Sequence, residues 1–251
     1  MAKVIILGSS NAIPDERHEN SHMALVNDER LVLVDCVSNP IVRLRQAGLD
    51  IENITDLILT HFHPDHVSGV PLLLMDLWLL GRQQELRVYG LDYTLDRLET
   101  LMDLYGWDTW PRFFPVEMIR LAEKEMTLVQ ETDQWRILSS PVSHIIPNIG
   151  LRIEFTDSKK VFAYSCDTEP CSQVVQLANN ADVLLHESAG SSLGHSDASQ
   201  AGQTAKEASA KSLYLIHYPN GKFKDNNILT KAKEAFGGPV RLAEDFMEFE
   251  F

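Results

Sequence analysis

Cysteine is scarce. The 251 residues contain three, Cys36, Cys166 and Cys171, too few and too irregularly spaced for a disulfide framework. They suit a reducing cytoplasm. Long apolar runs are missing as well. The first, Val4 to Leu7, is too short for a signal-peptide core and meets Gly8 at once. Val70 to Leu80 is interrupted by Pro71 and Asp76 and falls short of the roughly 20 apolar residues that span a bilayer. It reads as a buried helix, and no membrane partner is expected. Positive charge is also short: Lys and Arg number 22 against 36 Asp and Glu, a formal net charge of −14. Such a surface does not hold nucleic acid by general phosphate neutralisation, so an anionic substrate needs a local positive focus such as a bound metal. Low-complexity linkers and fixed-period repeats are absent, and residues 1–251 read as one domain.

What is present is an ordinary globular composition, 44% hydrophobic and 23% charged, enough for a substantial core. Short β-rich runs occupy Val4–Leu7, Met23–Val26, Leu31–Val34, Trp135–Leu138, Leu151–Phe155 and Val161–Tyr164. Helical stretches cover Pro40–Ala47, Pro71–Leu80, Tyr93–Tyr105, Ser172–Ala178, Ala198–Ala210 and Ile228–Phe236. Strands clustered in sequence with helices interleaved predict an α/β fold, sheets packed together and covered by helices. The aromatic stretch from Trp78 to Phe114 reads either as core with a helical cap or as a lid or dimer patch beside the functional site.

The chemistry concentrates in Thr60-His61-Phe62-His63-Pro64-Asp65-His66, which follows the apolar run Leu57 to Leu59. In an extended segment His61 and His63 fall on one side. Pro64 suits a first helical turn, so Asp65 and His66 turn toward a second point. One loop thus offers two ligand pairs to two neighbouring metals. Each further candidate follows a strand-like run, where loops gather at a sheet edge: His144 after Pro141-Val142-Ser143, Asp167 after Val161 to Ser165, and His217 after Leu213 to Ile216. Five His and two Asp suit two borderline divalent cations, with zinc, manganese or iron all compatible. Cys36 and Cys166 each adjoin an aspartate, but an extended neighbour points to the opposite face, so both are expected to be buried and structural.

His-x-His-x-Asp-His, together with Asp35 after Leu31–Val34, His186-Glu187-Ser188, Gly194-His195-Ser196 and the closing stretch from Ala243 to Phe251, resembles the metallo-β-lactamase superfamily in its ribonuclease Z-like branch. The resemblance implies an αββα four-layer sandwich. It implies that His61, His63 and His144 hold one metal, that Asp65, His66 and His217 hold the other, and that Asp167 bridges both. It implies a catalytic hydroxide between the ions, oriented by Asp65, with His195 beside the leaving-group oxygen. Asp35 takes the place of a structural aspartate. Histidine at both early positions, where diiron relatives place a glutamate, points to zinc.

Two departures shape the expected substrate. Ile145 to Cys166 has room only for two strands and the turn Asp157-Ser158-Lys159-Lys160, not for the long arm with which the branch's bacterial members grip transfer RNA. The branch's Gly-rich turn is replaced by Val37-Ser38-Asn39-Pro40. With the acidic charge, these make transfer RNA a poor candidate and a small-molecule or short nucleotide phosphodiester the expected substrate. The alternatives are hydrolysis of a lactone, thioester or arylsulfate, transfer-RNA 3′ processing, and a non-catalytic metal-bound scaffold. The branch also implies a homodimer through the helices after the metal loop, where Leu72 to Leu80 is apolar.

Overall fold

A computed structural model describes residues 2–251. Its strands form two seven-stranded sheets. The first runs β14 (Glu248–Glu250), β1 (Lys3–Gly8), β2 (His22–Val26), β3 (Leu31–Val34), β4 (Ile54–Ile58), β5 (Leu86–Leu91) and β6 (Val116–Leu121). The second runs β13 (Val240–Leu242), β12 (Leu213–Ile216), β11 (Val183–Glu187), β10 (Val161–Tyr164), β9 (Ile149–Phe155), β8 (Trp135–Pro141) and β7 (Thr127–Glu131). Each sheet is antiparallel on one side and parallel on the other, β3 to β6 in the first and β10 to β13 in the second. Parallel neighbours need crossovers, and helices supply them. In the first sheet these are α1 (Pro40–Gln46), α2 (Pro64–Val67), α3 (Val70–Leu79) and α4 (Asp92–Leu104); in the second, α5 (Ser172–Leu177), α6 (Ala198–Glu207) and α7 (Ile228–Phe236).

Alternation along the strands sorts the core into three layers. In β1, Val4 and Ile6 enter the layer between the sheets, with Trp135, Phe162 and Tyr164, while Ile5 and Leu7 face the helices of the first sheet. The layer under α5–α7 is rich in alanine, including Ala163, Ala201, Ala205 and Ala232, so the helices approach closely. The result is the αββα sandwich expected from the sequence. β3, antiparallel to β2 and parallel to β4, is buried along its whole length with both faces covered, which is why Leu-Val-Leu-Val is a continuous apolar run. Among the described residues no helix is long and apolar enough to cross a membrane.

Gly202 of α6 marks a close approach to α7 in this layer. A Cβ there would lie 2.5 Å from the Ala232 carbonyl oxygen and 2.9 Å from Ala235 Cβ. Gly202→Ala gains helix propensity of about 1 kcal/mol but forces α7 outward, and overpacking costs about 1–3 kcal/mol. Thermal melts are expected to show net destabilisation; a raised Tm would refute this packing.

Several expectations are corrected. Strands β5, β6 and β7 lie where none was read, because β6 carries exposed Glu117 and Arg120 at a sheet edge and its apolar alternation is diluted. Of the two readings of the aromatic stretch, core with a helical cap agrees with the packing: Trp78, Trp107, Trp110 and Phe113 lie against the core on the outer face of the first sheet, Trp78 stacking on Trp110 with centroids 5.0 Å apart and donating to the Pro111 carbonyl. Leu77 and Phe114 are buried between that sheet and its helices. Leu72 and Leu79 of α3 are exposed. Between His144 and Asp167 lie β9, a short turn and β10, as read from the sequence.

Candidate metal centre

The carboxyl ends of the parallel strands meet where the two sheets face one another, and the chain leaves several of them through a left-handed residue. Asp35 after β3, Cys166 after β10 and His217 after β12 have φ of 61°, 53° and 53°. Asp and His tolerate that region better than most side chains, and such strain persists where the surroundings over-determine it. His217 is held by its amide, which donates to the Ser9 carbonyl at 2.9 Å.

Two clusters of donor atoms result. His63 Nδ1 lies 3.0 Å from His61 Nε2 and 3.1 Å from His144 Nε2. Nearby, one ligand atom each from Asp65, His66, Asp167 and His217 falls within 4.8 Å of the others. Asp167 lies between the clusters: its Oδ2 is 3.4 Å from both His66 Nε2 and His217 Nε2 and 3.9 Å from His61 Nε2. All seven sequence candidates are therefore brought together. Buried polar atoms are normally paired, yet His66 Nε2 and Asp167 Oδ1 have no hydrogen-bond partner. Imidazole and carboxylate lone pairs aimed at shared points, with buried acceptors left free, fit two divalent cations.

The surrounding hydrogen bonds set which imidazole nitrogen stays free. His66 Nδ1 donates to Asp35 Oδ2 at 2.7 Å. Thr60 Oγ1 donates to the same carboxylate at 2.8 Å and lies 3.1 Å from His61 Nδ1. One buried carboxylate thus orients His66 directly and His61 through a hydroxyl, turning Nε2 of each toward the clusters. Burial alone would push His66 down, but Asp167 and Asp35 on either side hold it well above its ordinary value. Asp167 is buried, which favours its neutral form, yet His217 and His66 keep it well below the usual carboxylate range. His144 Nδ1 donates to the Gly194 carbonyl at 2.7 Å. Gly194 has φ of 80°, and a Cβ there would lie 2.8 Å from that nitrogen, so this close approach requires glycine.

His195, read from the sequence as a catalytic candidate, stacks on His217 with centroids 5.6 Å apart and meets His144 edge-on at 5.1 Å. Its Nδ1 lies 3.0 Å from Glu187 Oε1. Burial pulls the imidazole down, but the Glu187 hydrogen bond and charge outweigh it and raise His195 above its ordinary value. Glu187 was not among the candidate site residues. It is buried and also accepts from the amides of Thr168, Ala189 and Ser196, tying the loops after β10 and β11 together. Its sequence signal is the His186-Glu187-Ser188 motif, which carries the family resemblance without giving Glu187 a role. Neighbouring His186 is pushed down to about 4 by burial and donates to the Glu187 carbonyl, a structural imidazole.

The cysteines are buried as expected in two cases, Cys36 and Cys166. Cys166 does not point away from the site, because its left-handed backbone breaks the extended alternation. Its Sγ lies 3.8 Å from His61 Nδ1, the nitrogen on the far side of that ring from the cluster.

A family model described as the beta-lactamase superfamily domain matches residues 30–218. Ribonuclease Z of Methanothermobacter thermautotrophicus is 27% identical, the match covering 100% of this chain and 97% of the relative. The metallo-beta-lactamase fold protein YhfI from Bacillus subtilis superposes with a TM-score of 0.83 at 24% identity, over 99% of this chain and 98% of the other. The short form of human tRNase Z superposes with a TM-score of 0.79 at 23% identity, again over 99% and 98%. These relatives overturn the expectation that transfer RNA is a poor candidate substrate. Net charge and hairpin length govern how a polyanion is gripped, not which bond the centre cuts. With its fold, its donor clusters and a family model spanning most of its length, the chain belongs to the metallo-β-lactamase superfamily, an enzyme family of metal-dependent hydrolases, and resembles ribonuclease Z from end to end.

Proposed function

We propose that this chain is a dinuclear phosphodiesterase of the ribonuclease Z type, cutting precursor transfer RNA on its 3′ side in the cytoplasm, as one hydrolase domain over residues 1–251. The observation that carries the reading is Asp167, whose Oδ2 lies within 3.9 Å of imidazoles from both donor clusters. His61, His63 and His144 would hold one ion and Asp65, His66 and His217 the other, with Asp167 shared between them. Zinc is the proposed metal, from the preponderance of imidazole. When bound, the two ions lower the pKa of a water and offset the phosphate charge. Asp65, less buried than Asp167, accepts the proton of the attacking water. His195, its Nδ1 engaged by Glu187, presents Nε2 to the leaving oxygen as general acid.

Two variants isolate that last step. His195→Ala is expected to lower kcat about 10²–10⁴-fold, the usual worth of a general acid, while metal content stays at the wild-type value. An acid works only while protonated, so activity falls as pH rises through the His195 pKa. Glu187 raises that pKa, and Glu187→Gln should move the alkaline limb of kcat/KM to lower pH. An unmoved limb would assign the proton to another group.

The whole reading is tested with zinc-loaded protein on three substrates: a precursor transfer RNA carrying a 3′ extension, bis(4-nitrophenyl) phosphate, and an aryl lactone. Cleavage of the first two is expected. Turnover of the diester without the precursor contradicts the RNA assignment, and turnover of the lactone alone contradicts phosphodiester chemistry.

A further inference from the structure

The loops that carry the centre are poor in positive charge. Those after β3, β4, β8, β10 and β11 contain no Lys or Arg up to the helix or strand that follows. In the loop between β1 and β2, Arg17 sits among Asp15, Glu16 and Glu19. The loop after β12 differs. It leaves His217 and, within seven residues, displays Lys222-Phe223-Lys224 on a single 3-10 turn, Gly221–Phe223, closed by hydrogen bonds from the Phe223 and Lys224 amides to the Asn220 and Gly221 carbonyls. Phe223 is 53% exposed, and both lysines are exposed. Among the described residues neither ammonium has an ion-pair partner, since the adjacent Asp225 is engaged by Lys231 at 2.7 Å. Lys222 Nζ lies 5.0 Å from the centroid of the Phe223 ring. Lys224 shares a small cavity with His18 and Tyr218, which keeps the loop beside the edge that bears the metal ligands. Five residues span at most about 18 Å, so Lys222 stays within a few nucleotides of His217.

On a chain of net charge −14, two unpaired lysines around an exposed aromatic ring form a local positive focus with a stacking surface. Groups of this kind bind single-stranded nucleic acid: cations follow the phosphates and the ring accepts an unpaired base whatever its identity. We propose that Lys222, Phe223 and Lys224 bind the single-stranded RNA segment flanking the scissile bond, the lysines on two phosphates and Phe223 on a base. The loop thereby supplies grip that the short β9–β10 hairpin does not. This rests on the RNA reading above, and the test separates the two.

The variants are Lys222→Gln/Lys224→Gln, Phe223→Ala and, as a control for net charge, Lys206→Gln/Lys233→Gln. Each zinc-loaded protein is assayed on the precursor transfer RNA and on bis(4-nitrophenyl) phosphate. Binding of a fluorescein-labelled, nuclease-resistant phosphorothioate RNA ten-mer is read by anisotropy. Each loop variant should bind the ten-mer about tenfold more weakly, the scale of one lost stacked base, and raise KM for the precursor with kcat little changed. The double lysine variant should flatten the salt dependence of binding by about 1.4 log units per log unit of salt, two single-strand phosphate contacts. Diester turnover and the control should match wild type. Precursor cleavage with ten-mer binding unchanged in the loop variants overturns this proposal and leaves the RNA reading standing, as does an equal loss on the small diester. Loss of ten-mer binding in the loop variants of a protein that does not cut the precursor upholds the loop and overturns the precursor assignment.

Discussion

Asp167→Ala is expected to leave the protein without its pair of cations and to lower phosphodiester turnover by about a thousandfold or more, the several kcal/mol of charge stabilisation a metal centre supplies. Asp167 lies between the clusters: its Oδ2 stands 3.4 Å from His66 Nε2 and His217 Nε2 and 3.9 Å from His61 Nε2. Losing it removes the proposed shared ligand and one of the two carboxylates of the proposed set, Asp65 being the other. The fold should survive. Asp167 makes no side-chain hydrogen bond through Oδ1, and its carbonyl, which accepts from Asn148, is untouched by the change. Metal analysis and turnover are measured on the same preparation. Full activity in a metal-depleted Asp167→Ala protein contradicts the assignment of the centre.

Asp35→Ala should produce the largest loss of stability, although Asp35 supplies no ligand atom to either cluster. Its fully buried carboxylate accepts from the Thr60 amide at 2.8 Å, from Thr60 Oγ1 and from His66 Nδ1. Truncation strands all three donors and places alanine at φ of 61°. Removing one member of such a buried network costs about 3–5 kcal/mol, which for a chain of this size lowers Tm on the order of 10 °C. Thermal melts of metal-stripped wild type and variant read this cost free of metal binding, and metal analysis of the loaded proteins reads the second effect. His66 and His61 lose the partners that orient them, so metal affinity should fall about 10–100-fold, as when an outer partner of a ligand is removed. An unchanged Tm together with full metal content would show Asp35 to be dispensable.

Much of this centre is legible in the sequence, for a physical reason. A metal loop needs its donors close in space, and His61, His63, Asp65 and His66 achieve that by being close in sequence. His144, Asp167 and His217 are legible because each follows a strand-like run, and β8, β10 and β12 all run in one direction and end at the same edge, β8 through its antiparallel partner β9. Glu187 stands in the His186-Glu187-Ser188 motif, but its role is not legible there, because it depends on the His195 loop folding back on it. The bridge from Asp35 through Thr60 to His61 was equally hidden, since it spans β3 and β4 rather than one segment. Cys166 was misdirected by alternation that its left-handed backbone does not obey. In the fold, fully buried β3 announced itself, whereas edge strand β6, with Glu117 and Arg120 in solvent, did not. The substrate expectation failed differently: net charge and a missing arm describe a surface, and the relatives speak to the chemistry beneath it.

The central claim is that seven side chains between positions 61 and 217 converge on two cations. Its most direct measurement is metal analysis of the purified protein combined with anomalous scattering from a crystal of it. The expected result is two metals per chain, as two peaks about 3.5–4 Å apart, with Asp167 between them, His144 on one and His217 on the other. A single peak, no peak, or metals coordinated without His144 and His217 would contradict it.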